Sequence, residues 1–305
     1  MALHPVHLRV NLLPEPLGID TPQPEFSWQL ASDQSAVLQS AYQIQVAGNP
    51  SFDTICWDSQ IVVSDLPWGA RYAGAVLESC RRYMWRVRVW DQADQSCPWS
   101  DPSWFETAFL PGSGGPDAQW ISRKALAPRA QRGDRDVLYF HHDVDLPRPI
   151  RQARIYATSL GWYKLIINSV NVTGRAQVPR WTPYEHHLEY QVLDVGTVLR
   201  KGQNRLGAIV ADGHYRGENN GLSNRNCYGD RLAFFCLLIV ELDNGQRIEC
   251  RTDTMWTVTT GCIIRSDPKA GEAVDFRIPD PLGTEDSSSL PAWDAVDLLP
   301  TPTRR

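Results

Sequence analysis

Short runs of alternating apolar and polar side chains recur along most of this chain, and that period of two restricts it to β-structure. Successive side chains of a strand point to opposite faces, so alternation sends every second residue into a core. In Tyr42-Gln43-Ile44-Gln45-Val46 the large apolar residues share one face and the two Gln the other. Tyr83 to Trp90 is the longest instance: Tyr83, Trp85, Val87 and Val89 are expected to face a core, with Arg86, Arg88 and Trp90 outside. That outer face reads as a solvated surface covered by Arg stems, or as one whose guanidinium groups stack on rings or hold carboxylates. Phe26–Leu30 and Trp104–Phe109 add further strands. No long amphipathic helix competes; Asp194–Leu199 supports a single turn. The chain is expected to be all-β, built as two β-sandwich domains.

Proline and glycine divide it. Pro14, Pro16, Pro22 and Pro24 fix φ and remove donors, so residues 1–24 should run extended along a sheet edge. Pro111-Gly112-Ser113-Gly114-Gly115-Pro116 reads as a linker between a sandwich at 6–110 and a larger one at 118–278. In the second, Val137–Val144, Ala153–Ala157, Trp162–Ile167, Leu188–Leu193, Arg205–Val210 and Trp256–Thr259 read as strands. Ala233–Leu242 and Arg247–Arg251 form a hairpin around an Asn-Gly turn. Residues 279–305, rich in Pro, Ser and Asp, read as an irregular tail or linker.

Several function classes drop out. A net charge of −5 argues against a nucleic-acid partner. No apolar run reaches the length of a membrane span, and no basic, then apolar leader opens the sequence. The seven Cys are irregularly spaced without a C-x-x-C pair, which fits reduced thiols and a cytoplasmic setting. His141-His142 and His186-His187 are adjacent, and neighbours on a strand diverge, so no metal site is expected from them. Phosphate-binding, dinucleotide and nucleophile-elbow motifs are missing, and no cofactor is implied. Carboxylates are plentiful, but nothing selects a pair as catalytic.

The best candidate for binding is the loop Ala211-Asp212-Gly213-His214-Tyr215-Arg216-Gly217-Glu218-Asn219-Asn220-Gly221. Sugars are held by carboxylate and amide groups on hydroxyl pairs beside a ring that covers the apolar sugar face. Asp212, His214, Tyr215, Arg216, Asn219 and Asn220 supply those parts, and Trp181 and Tyr184 from another loop add stacking surface. The structural alternative is that Asp212 and Arg216 pair to brace the loop.

Two long stretches carry a resemblance. LRVNLLPEPLGIDTPQPEFSWQL, RYMWRVRVWD and WSDPSWFET, between Leu8 and Leu110, resemble the fibronectin type III-like domain that opens bacterial α-L-rhamnosidases. ARIYATSLGWYKLIINSVNV, WTPYEHHLEYQVLDVGTVLRKGQNRLGAIVADGHYRG, YGDRLAFFCLLIVELDNGQ and IIRSDPKAGEAVDFR, between Trp120 and Arg277, resemble the domain that follows it. The resemblance implies a fibronectin type III-like sandwich, then a jelly-roll-like one. It also implies a rhamnose-containing ligand, in one form of the family held with calcium, for which Asp212, Asn219 and Asn220 offer oxygens. The sequence departs from the family at Asn168-Ser169, where Asn-Gly is usual, at His214, where an aromatic is usual, and at Pro268–Glu272. In the family an (α/α)₆ barrel carries the acidic residues of an inverting hydrolysis. None of that motif aligns here, so this chain is expected to be the non-catalytic amino-terminal portion, truncated and inactive alone, with a separate barrel as partner. The alternatives are a free-standing carbohydrate-binding module and a small intact glycosidase.

Overall fold

The strand that alternates most cleanly in the sequence is the axis of the first sandwich. The computed structural model describes residues 3–112, 117–124, 136–219, 225–283 and 292–301. They divide into two units, Met1–Pro116 and Asp117–Arg305. Part of the expected linker, Ser113–Pro116, lies outside the described residues.

The first unit contains β1 (His4–Val10), β2 (Glu25–Ala31), β3 (Gln39–Ala47), β4 (Ile55–Asp58), β5 (Val62–Val63), β6 (Ala70–Arg71), β7 (Arg82–Asp91) and β8 (Ser103–Glu106). One sheet has the order β1-β2-β6; the other runs β4-β3-β7-β8, with β5 also on β3. Tyr83, Trp85, Val87 and Val89 of β7 are all buried, and Trp85 and Phe26 meet with ring centroids 4.7 Å apart. The proline-rich segment lies along the edge of β8: Glu106 N–H donates to Pro16, Ile19 N–H to Glu106, and Ala108 N–H to Ile19. A segment short of donors is suited to such an edge.

The outer face of β7 is a stacked ladder rather than a solvated surface. Arg86 and Arg88 each direct Nε and Nη2 at one amide oxygen, of Gln45 and Gln43 respectively, at 3.0 and 2.7 Å. The Gln side chains then donate to the two oxygens of Asp58. Trp99 lies 4.7 Å from both guanidinium carbons, Phe52 caps Arg86 at 4.2 Å and Trp90 lies 5.0 Å from Arg88. Such stacking keeps a cation partly desolvated without a facing acid.

The second unit holds β9 (Trp120–Arg123), β10 (Leu138–Leu146), β11 (Ile150–Leu160), β12 (Trp162–Ile167), β13 (Val170–Asn171), β14 (Gln191–Asp194) and β15 (Gly202–Ala211). A single helical turn, α1 (Gly213–Arg216), follows. Then come β16 (Ala233–Leu242), β17 (Arg247–Arg251), β18 (Thr257–Thr259), β19 (Ile263–Asp267), β20 (Gly271–Val274) and β21 (Asp294–Leu299). The main sheet is continuous, in the order β13-β12-β15-β10-β18-β21-β9-β16-β11-β14, with β17 on β16. It folds over one core: Phe140 of β10 stacks on Phe234 of β16 at 5.9 Å.

The expected irregular tail is corrected here. Residues 294–299 form β21, which joins the two halves by pairing with β18 on one side and β9 on the other. Leu282 is also buried and presses on the backbone of β15, where a Cβ at Gly207 would come within 2.7 Å of it. Six residues flanked by Pro and Ser gave too short an alternation to stand out. The adjacent histidines diverge in β10, His141 toward Trp293 and His142 toward Trp256. His186 and His187 sit in a turn after Pro183, so a strand argument does not apply to them. The β12–β13 turn keeps positive φ without glycine: Asn168 is at 49° and Ser169 at 66°. Asn168 supports it by donating to Val198 O and Asn204 Oδ1 and accepting from Arg205 N–H. Among the described residues no disulfide forms and no helix is long and apolar enough to cross a membrane.

Trp85 is fully buried against Phe26, so Trp85→Ala is expected to cost about 3–5 kcal/mol, a large share of a stability near 5–15 kcal/mol. Thermal unfolding should show the first unit lost or melting far below wild type. A shift of a degree or two would contradict this packing.

Candidate functional site

The predicted loop leaves β15 at Ala211 and turns at once. Gly213 makes that turn possible: its φ is +52°, and a Cβ there would lie 2.7 Å from the backbone nitrogen of Trp162. The turn of α1 brings Arg216 back over Asp212, whose Oδ1 accepts from Arg216 Nε at 2.5 Å. Asp212 Oδ2 accepts from Arg225 Nη2 at 2.6 Å, and Arg225 Nη1 donates at 2.6 Å to Asp267 Oδ2. Asp212 and Asp267 are both buried. Asp267 also takes the backbone N–H groups of Lys269, Ala270 and Glu218. Burial alone would raise its pKa, but those N–H groups and the charge of Arg225 outweigh it and hold the carboxyl below its usual range.

This clasp corrects the expectation that Asp212 and Arg216 bind sugar. Asp212 is 1% exposed and both its oxygens are occupied, so it braces the loop. Arg216 also donates from Nη2 to Asp136 O. Asn219 is buried as well; its amide donates to His214 O and its oxygen faces His214 Nδ1 at 3.1 Å. That pairing assigns the proton to Nδ1. Asp212 is also ill suited to calcium, because the two guanidinium groups it bridges place positive charge beside it. Among the described residues no group of three or more His, Cys, Asp or Glu could hold a metal. Asn220 lies outside the described residues.

What remains is aromatic. Trp181 stacks on His214 with centroids 4.5 Å apart and planes 11° from parallel, and His214 meets Trp162 edge-on at 5.2 Å. Trp181 Nε1 donates to Tyr228 Oη at 3.0 Å. One ring face is therefore covered and the indole orientation fixed, while Trp181 stays 47% exposed. Tyr215 turns inward instead, against Tyr184 at 5.5 Å, and Tyr184 packs on Tyr228 at 4.9 Å. Burial, then the nearby Tyr228 and Glu189, push Tyr184 up to about 12. The structure thus brings Trp181 and His214 together as a stacked platform, with Tyr215 as a support. Sequence reading missed Trp162, Arg225, Tyr228 and Asp267 as partners, because each joins from a separate segment with no spacing rule to announce it.

Asp267→Asn removes the charge that faces Arg225 and is expected to destabilise the second unit by about 3 kcal/mol, the lower end for a broken buried pair. Because the folded pKa of Asp267 is depressed, its contribution is complete above the ordinary carboxylate pKa near 3.9 and is lost as pH falls through the folded value. Melting curves of wild type should therefore fall below about pH 4 by more than those of Asp267→Asn. Parallel pH profiles would remove the clasp as a source of stability.

Comparison with known proteins locates both units. Residues 5–111 match the family described as the Rha78A-like N-terminal immunoglobulin domain, and 148–304 the α-L-rhamnosidase N-terminal domain. An α-L-rhamnosidase of Formosa agariphila is 29% identical across 93% of this chain and 32% of its own length. One from Alteromonas sp. (strain LOR) is 31% identical across 85% of this chain and 29% of its own. The solved α-L-rhamnosidase from Dictyoglumus thermophilum superposes with a TM-score of 0.82 at 27% identity, covering 98% of this chain and 34% of that one. The chain thus spans roughly a third of the length of these relatives.

Proposed function

This chain belongs to the α-L-rhamnosidase N-terminal domain family, and from that premise we propose that it is the non-catalytic accessory portion of an α-L-rhamnosidase whose Trp181 platform contacts a rhamnose-containing carbohydrate. The observation that carries the sugar contact is the half-exposed indole of Trp181, held by His214 beneath it and by Tyr228 at its nitrogen. A ring fixed before the ligand arrives loses little side-chain freedom on binding. Its open face suits the apolar face and methyl group of a 6-deoxy sugar.

Hydrolysis is assigned to a separate barrel. Inversion needs one carboxyl kept protonated to release the leaving oxygen and one carboxylate to activate water. The buried acids beside the platform do not suit the first part: Asp212 is taken up by Arg216 and Arg225, and the Asp267 carboxyl, beside Arg225, is held below its usual range. A cytoplasmic setting is part of the same proposal. Cys236 and Cys250 lie buried on paired strands of one sheet as thiols, both pushed up by burial, which suits a reducing compartment.

Rhamnose titration followed by chemical shifts tests the contact. Wild type is expected to bind at about the millimolar level, worth roughly 4 kcal/mol, with shifts centred on Trp181. Trp181→Ala should weaken binding about tenfold or more, and Trp181→Phe should recover part of it. Shifts that map elsewhere, or an unchanged affinity in Trp181→Ala, would end the platform reading. The pure chain should release no nitrophenol from a nitrophenyl rhamnoside above background; turnover abolished by replacing one carboxylate would overturn the non-catalytic assignment.

A further inference from the structure

We propose that a second cleft on the Asp117–Arg305 unit binds a carboxylate-bearing sugar. This inference stands on its own lining and does not need the rhamnose reading of Trp181. The cleft has a volume of about 480 Å³ and lies on the outer face of β12 and β15, between the loop after β13 and the β19–β20 hairpin. That volume falls within the range of about 300–1,000 Å³ typical of small-molecule sites.

Its lining combines three kinds of group. Ile209, Ala211 and Ile263 supply an apolar surface, and Trp162 adds an aromatic wall. Asn171, Gln177 and Glu272 offer the amide and carboxylate groups that suit paired hydroxyls. Lys164 and Arg175 supply positive charge. The cations are the informative part. Several exposed arginines elsewhere on this unit are matched to acids, as Arg148 is to Asp243, Arg180 to Glu189 and Arg277 to Asp275, whereas exposed Arg200 donates to a backbone carbonyl. Among the described residues neither Lys164 nor Arg175 has a salt-bridge partner. Glu272, opposite Ser266 in the hairpin, is the acid that lines the cleft, against two cations.

An apolar wall with polar amides fits a pyranose better than a bare oxyanion, which would use the charges and leave the rest of the surface unmatched. A net positive lining fits a sugar that carries a carboxylate better than a neutral one. Glu272 then favours the orientation that turns the ligand carboxylate toward Lys164 and Arg175 and its hydroxyls toward the hairpin. Trp162 is shared with the neighbouring platform, because its ring also meets His214 edge-on. The cleft and the platform therefore adjoin within one unit.

The test uses the full chain and chemical-shift titration with D-glucuronate, D-glucose and inorganic phosphate. Glucuronate is expected to shift resonances of Trp162, Gln177 and Ile263 with millimolar affinity, and to bind at least about fivefold more tightly than glucose. The double variant Lys164→Ala/Arg175→Ala should keep the wild-type melting temperature, since both side chains are exposed, and weaken glucuronate about tenfold. Raising ionic strength should weaken it too, as the cations are accessible to solvent. Equal binding of glucose and glucuronate would overturn the proposal. So would an unchanged affinity in the double variant, phosphate competing as well as glucuronate, or no shifts at about 50 mM sugar. Trp181→Ala separates this site from the platform: it should remove rhamnose binding and leave the glucuronate shifts in place.

Discussion

Closure of the main sheet by β21 is the constraint on which the second unit depends. A sheet edge exposes a row of backbone donors and acceptors, and a sandwich of two separate layers has several such edges. Here one six-residue strand pairs with β18 and β9 together, so the sheet continues from one layer into the other. Arg231, two residues before β16, ties β21 to this layer by donating to Asp297 at 2.7 Å. Leu282, between β18 and β21, then packs on the outer face of β10 and β15, where it forms a second cluster with Val137, Tyr139 and Ile209. That is why β10 begins as Leu138-Tyr139-Phe140, buried on both faces, instead of alternating.

Charge is handled differently in the two units. In the first, Arg86 and Arg88 both stack on Trp99, and their forks end on neutral amides. In the second, Arg225 sits between two buried carboxylates and ties α1 to the β19–β20 hairpin. Buried ion pairs carry a large desolvation cost and add little net stability, but removing one partner is severe. Such a clasp therefore selects one loop conformation more than it strengthens the fold. It acts on the platform indirectly: α1 carries His214, and Tyr228 lies three residues beyond Arg225.

The platform and the clasp share a loop but divide its chemistry. Polar side chains that look suited to ligand contact are consumed inside the protein, and the exposed element is a ring. Asp212 and Arg216, four residues apart, are each other's partners, and Asp212 lies buried beneath the turn. Tyr215, one residue earlier, points instead into the Tyr184 contact.

Strand faces and the main cores were legible along the chain. Period-two alternation is local and survives into the fold wherever one face meets water, so Trp85, Ile44 and Val46 were legible as core and Arg86 and Arg88 as outer-face residues. The two-sandwich architecture follows from the same pattern. Trp181 was legible as an accessible ring, though not the His214 beneath it. What only the tertiary structure decided is partnership between distant segments. Asp212 changed from a candidate ligand group to a buried brace because Arg225 and the hairpin around Asp267 arrive from 13 and 55 residues further along the chain. β21 became a closing strand because it meets the free backbone groups of both β9 and β18. Backbone hydrogen bonding and charge neutralisation act through space, and a pattern read along one segment holds no record of which neighbour will satisfy them.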